Sequence, residues 1–115
     1  MIFGTAFKQG EIAIVPFPFT NLSSVKQRPV LILSNNNYDE ENEDVITCGI
    51  TSNLKDAPHS VLISKEELEK GWIPKTSRIK VDKIFTIHKL LVKKKIAKVS
   101  SSVLKEVKEE LLKVL

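Results

Sequence analysis

Arg28, Thr51, Ser52 and Lys80 are the side chains here whose chemistry suits a phosphodiester. A guanidinium can hold two non-bridging phosphate oxygens at once and stays charged at any relevant pH. Beside a scissile bond it would stabilise charge developing on a pentacoordinate phosphorane. Thr51 closes its strand on the face away from Ile46 and Ile50, where its hydroxyl could orient the same phosphate. Arg28 lies in "VKQRPVLILS", residues 25–34, directly before Pro29. Proline has a fixed φ and no N–H, so it is expected to start a strand and leave the arginine at its rim. A plainer role competes: a surface ion pair between Arg28 and the acidic stretch "DEENED" at 39–44, which would contribute little. Residue chemistry alone favours the ion pair.

Other chemistries find less to work with. Cys48 is the only cysteine, which rules out an internal disulfide or a cysteine-based zinc cage. Its place between Ile46 and Ile50 reads as core. There is no HExxH motif, and "DEENED" lacks EF-hand spacing. The glycines at 4, 10, 49 and 71 are scattered and form no phosphate loop. His59 and His88 would have to face each other across a phosphate to act as an acid–base pair; they sit on separate strand ends and read as rim residues. By elimination, a mechanism without metal or cofactor is favoured.

The elements that position these residues read as short strands. Ile12–Val15 is a strand, and "PFPFTNLSS" opens a surface loop expected over 16–27. A long loop without structure of its own is often a binding loop. Strands follow at 29–34, 45–52 and 59–64, with a polar loop over 35–44. Ser64-Lys65-Glu66-Glu67 is a capping-box pattern that opens a short helix closed by Gly71. "SRIKVDKIFTIHKLL" is extended with a turn near Asp82–Lys83, "KKKIAKV" is a last strand, and Val103, Leu104, Val107 and Leu111 form the stripe of a C-terminal helix. The i,i+4 pairs Lys105–Glu109 and Glu109–Lys113 support that helix. The fold expected is mainly β: one domain over residues 1–115, an antiparallel SH3-like barrel of about five to seven strands with a short internal helix and a C-terminal helix.

Charge points to a polyanion or an acidic partner. The net charge is +4, and residues 75–98 carry nine Lys/Arg against one acid, Asp82. A solvated lysine-rich face fits the same numbers. No apolar run is long enough to span a bilayer and the N-terminus does not read as a signal peptide, so a cytoplasmic protein is expected.

Taken together, "GEIAIVPFPFTNLSSVKQRPVLILS" at 10–34, "ITCGITS" at 46–52 and "SRIKVDKIFTIHKLL" at 77–91 resemble the MazF/PemK family of toxin ribonucleases from type II toxin–antitoxin modules. The order and spacing of the three pieces cover most of the chain up to about residue 91, and the first piece is the most specific. The resemblance implies a homodimeric barrel that cleaves single-stranded RNA at short motifs, without metal. Attack by the neighbouring 2′-OH would leave a 2′,3′-cyclic phosphate and a 5′-OH. It puts the catalytic pair on Arg28 and Thr51. RNA binding would fall to Phe19, Thr20, Asn21, Lys26, Ser52, Ser77, Lys80 and Asp82. Lys80 stands where the family often has an arginine, which keeps the charge and loses the planar fork. The loop "FPFTNLSS" resembles the PemK-like branch, and base reading would fall partly to it. The resemblance also implies an acidic antitoxin peptide across the basic groove, with DNA contacted only indirectly through that antitoxin. A non-catalytic gyrase poison of the CcdB type and an RNA-binding barrel without cleavage remain the alternative readings.

Overall fold

The computed structural model describes residues 6–17, 26–55 and 57–115. Among these residues seven antiparallel strands form one sheet: β1 (Glu11–Phe17), β2 (Lys26–Ile32), β3 (Asp44–Thr51), β4 (Ser60–Ile63), β5 (Leu68–Gly71), β6 (Ser77–His88) and β7 (Lys94–Val99). Their order across the sheet is β4-β6-β3-β2-β1-β7-β5, curled into a half-barrel. Two α-helices accompany them, α1 (Asn36–Glu41) and α2 (Ser101–Leu112). Among the described residues no helix is long and apolar enough to cross a membrane.

The inner face of the sheet carries the larger core, which includes Ile12, Leu31, Cys48, Ile50, Ile79, Val81 and Val99. Helix α2 closes it. Ser100 caps the helix by accepting the Val103 N–H at 3.3 Å, and Val103 and Val107 sink into the same cluster. Burying each valine contributes roughly 1.5–3 kcal/mol. The helix therefore packs on its own sheet, along β4 and β6. Near its end Lys113 takes Glu110 at 2.8 Å, an i,i+3 contact instead of the expected one to Glu109.

The outer face is apolar too, which the alternation in β3 did not suggest. Ala13, Val15, Val30 and Ile87 form one cluster there, and Phe7, Ile32 and Val45 another. Thr47, on the strand face opposite Cys48, is 1% exposed and donates its hydroxyl to the Phe85 carbonyl at 2.9 Å.

Beyond β1 and β2, three expected elements differ. Residues 36–41, expected as loop, are helix α1, whose N-cap Asn35 accepts the Tyr38 N–H at 2.8 Å. Asp39 on this helix is buried; Ser34 donates to its carboxylate and Lys89 to its backbone carbonyl. The capping box at Ser64 forms as read, but it opens only a 3₁₀ turn, Lys65–Glu67, followed by strand β5. Pairing of β5 with β7 overrides the helix. The turn near Asp82–Lys83 is a bulge within one continuous strand, since Cys48 pairs with Ile84 while Gly49 pairs with Lys80.

The basic segment 75–98 does not form a single charged face. Lys89 and Lys95 both lie over the Phe7 ring, Lys95 reaches Glu11 at 3.3 Å, and Lys98 reaches Glu69 at 3.6 Å. Lys75, Lys80 and Lys83 line cavities at the other end of the sheet.

Candidate functional site

The site is built by a gap in the sheet, and Pro29 makes the gap. β2 is paired with β1 over its whole length, from Phe17–Lys26 to Ile12–Leu31. Arg28 is therefore held inside a strand opposite Val15, and Pro29 sits inside β2 opposite Ile14 instead of starting a strand. The expected loop is shortened accordingly, with Pro16 and Gln27 paired.

Backbone groups alternate in direction along an antiparallel strand. The Ile32 carbonyl accepts from Gly10 N, on the β1 side, and Leu33 N donates to the Ile46 carbonyl, on the β3 side. Counting back in twos, the backbone groups of Pro29 face β3, so the missing N–H falls on that ladder. The β2–β3 pairing ends at Val30–Gly49, one residue short of Pro29. Beyond that point β2 stays pinned to β1 and β3 stays paired with β6 through Thr51–Arg78.

Cavities open at this gap on the two faces. On the outer face a groove of about 440 Å³ is lined by Arg28, Val30, Gly49, Thr51, Lys80, Asp82, Lys83, Ile84 and Phe85. An adjoining pocket of about 260 Å³ adds Asn53 and Lys55 to Thr51, Lys80 and Lys83. On the inner face, at the mouth of the half-barrel, a cavity of about 310 Å³ is walled by Ile12, Ile14, Ile50, Ile73, Pro74 and Ile96, with Gln27, Ser52, Lys75 and Ser77 among its polar groups. Arg28, Pro29, Ile50 and Thr51 belong to both faces. A larger cavity of about 550 Å³, beside α1 and the start of α2, shares no residue with this site.

Arg28 is exposed, and among the described residues no hydrogen bond or ion pair holds its guanidinium. The ion pair with the acidic stretch does not form: that stretch leads into the far end of β3, roughly 20 Å of strand away from Thr51. Thr51 Oγ1 accepts the Asn53 N–H at 3.1 Å, which leaves its proton to donate elsewhere.

The structure thus brings Arg28, Thr51, Lys80 and Asp82 into one groove. Ser52 and Ser77 lie on the inner cavity; Ser77 donates its hydroxyl to the Lys75 carbonyl at 2.9 Å. Lys26 is exposed at the start of β2. Phe19, Thr20 and Asn21 lie outside the described residues. Lys83 and Phe85 were not singled out from sequence and line the groove; the bulge that carries Lys83 there was foreshadowed only by the turn signal at Asp82–Lys83. Neither histidine lines these cavities: His88 accepts the Leu90 N–H at 3.1 Å, and His59 lies 3.5 Å from Glu110. Among the described residues no three His, Cys, Asp or Glu side chains gather to hold a metal ion.

The family model described as the PemK-like, MazF-like toxin of type II toxin–antitoxin systems matches residues 8–115. The chain belongs to the PemK/MazF toxin family. No curated protein matches it. Among solved structures, this family member resembles a MazE–MazF complex from Deinococcus radiodurans at 20% identity and a TM-score of 0.79, covering 96% of each chain. An endoribonuclease from a mycobacterial species, solved with its cognate antitoxin, gives 19% identity and a TM-score of 0.77 over 94% of this chain and 93% of that one. The Mycobacterium tuberculosis toxin MazF-mt6 gives 21% identity and a TM-score of 0.68 over 88% and 91%. At these identities the likeness is one of fold. It matches the seven-stranded, helix-closed half-barrel of this PemK/MazF member.

Proposed function

We propose that this toxin-family member is a sequence-specific endoribonuclease acting on single-stranded RNA without a metal. The observation that carries the reading is the Arg28 guanidinium, without a partner among the described residues, lining one groove with the Thr51 hydroxyl and Lys80. The groove offers a scissile phosphate a planar cation, a hydroxyl donor and a second cation. The reaction is attack by the adjacent 2′-OH: the O2′–P bond forms, the P–O5′ bond breaks, and the proton of the 2′-OH is lost while O5′ gains one. Arg28 stabilises the equatorial oxygens as charge builds, and Thr51 donates to one of them to fix the in-line geometry. Asp82 is the carboxylate in the groove and is suited to accept the 2′-OH proton. The products are a 2′,3′-cyclic phosphate and a 5′-OH.

Family membership and the antitoxin-bound structures of similar fold support an antitoxin as partner. An acidic peptide laid over Lys55, Lys80 and Lys83 would cover the groove and silence it. A homodimer in the cytoplasm completes the reading.

The test is to incubate the protein with long single-stranded RNA in EDTA, beside Arg28→Ala. Fragments with 5′-OH ends from the native protein and none from the variant support the reading. Intact RNA with folded native protein sinks it, and inhibition of gyrase by that preparation would point to a non-catalytic toxin instead.

A further inference from the structure

We propose that the inner cavity at the mouth of the half-barrel receives one nucleobase flanking the scissile phosphate, and that Gln27 reads its edge. The inference rests on the nuclease reading above and adds a specificity residue to it.

A phosphate held at Arg28 and Thr51 has a nucleoside on either side. The gap beyond Val30–Gly49 opens to both faces of the sheet, and the cavities on those faces share the residues of the gap. The outer groove is cationic, with Lys80 and Lys83 against one carboxylate, and suits the backbone. The inner cavity also carries cations, Arg28 and Lys75, but they stand beside a cluster of aliphatic walls. Its walls are Ile12, Ile14, Ile50, Ile73, Pro74 and Ile96, flat aliphatic surface that fits the faces of an unstacked base.

Its polar rim is sparse. Ser77 spends its hydroxyl on the Lys75 carbonyl. Gln27 is two residues from Pro29 on β2, so its side chain shares the inner face, and among the described residues its carboxamide makes no hydrogen bond. A carboxamide presents one acceptor and two donors side by side, the pattern that pairs with N6 and N7 of adenine. Adenine, which offers that pattern on two edges (N6 with N7 and N6 with N1), is the base we assign to it. Ser52, the other rim hydroxyl without a partner among the described residues, adds a contact of either polarity.

The experiment maps cleavage of a randomised single-stranded RNA pool by the native protein, Gln27→Ala and Gln27→Glu. In the native profile adenine dominates one position next to the cut. With Gln27→Ala that preference falls about tenfold while preferences at other positions stay. Gln27→Glu, which only accepts, moves the same position toward cytosine through its N4 donor. Profiles unchanged at every position, or relaxed equally at all of them, overturn the assignment.

Should the native protein cut nothing, the nuclease reading fails and the cavity is judged by binding. An RNA that carries 2-aminopurine is then titrated against native protein and Ile14→Phe, which fills the cavity from its half-buried wall. Fluorescence quenching lost in the variant supports the base pocket; quenching equal in both, or absent from both, overturns it.

Discussion

Arg28 and Thr51 occupy facing positions on β2 and β3, two register steps beyond Val30–Gly49, the last pair the two strands make. Cross-strand partners share a face, so guanidinium and hydroxyl project into one groove from two strands anchored elsewhere. Arg28→Ala should cost about 10²–10³-fold in RNA cleavage, the range for removing a group that meets transition-state charge. Because the side chain is exposed, its stability should stay within about 0.5 kcal/mol of native. Cleavage rates and urea midpoints measured together check both halves.

Thr51 makes a separable contribution. Thr51→Ala should lower the single-turnover rate more than it weakens RNA binding, and Thr51→Ser should restore most of the rate by returning the hydroxyl. The Asn53 N–H also loses its acceptor in the alanine variant. Single-turnover kinetics beside a binding isotherm separate the two effects; a loss confined to binding would remove Thr51 from the reaction.

Gly71 is required by the crossing of β5 and β7. Its φ is +86°, and a Cβ there would lie 2.2 Å from the Ile96 carbonyl oxygen and 2.4 Å from Ala97 Cα. Both neighbours are backbone and cannot step aside. Gly71→Ala should therefore destabilise by about 3 kcal/mol, from strain and overpacking combined. A denaturant titration reads it directly.

Asp39 gives stability a pH dependence of opposite sign to the usual carboxylate. Burial raises its pKa above the ordinary 3.8, with the Ser34 hydroxyl and the Lys89 charge pulling the other way and Glu11 adding to the rise. A carboxyl whose folded pKa is raised holds its proton longer in the fold, so its contribution is favourable in acid and is lost as pH climbs through the folded value. Asp39→Asn mimics the protonated form. Its stability relative to native should rise from about pH 4 toward neutral, measured as urea midpoints along the series.

Cys48 should be inert. It is fully buried, and burial, with the charge of Asp82 adding to it, pushes the thiol up to about 12. The thiolate is the reactive form, so a thiol-reactive dye should label the native protein only after denaturant is added.

The sequence carried much of this fold because its signals were local. Gly10 precedes β1, the Ser64 box formed as written, and the Val103–Val107 stripe named the helix face that packs. What escaped was non-local. Residues 36–41 are polar with no period, and they form α1 around a buried carboxylate that only tertiary partners satisfy. Leu68–Gly71 follow a helix signal yet join β7. The grouping of Arg28, Thr51, Lys80 and Asp82 depends on register and on a bulge, neither of which is written in residue types. Arg28 read alone looked like half of an ion pair, because nothing local says that the acidic stretch feeds the opposite end of β3.

Pro29 sets the terms on which this toxin keeps its opening. Any other residue at that position would return an N–H to the side facing β3, and the two strands could close by another rung. The closed sheet would be the sturdier object and the poorer tool. A selection for thermal robustness alone would thus be expected to replace this proline early, and to recover folded protein with the groove closed.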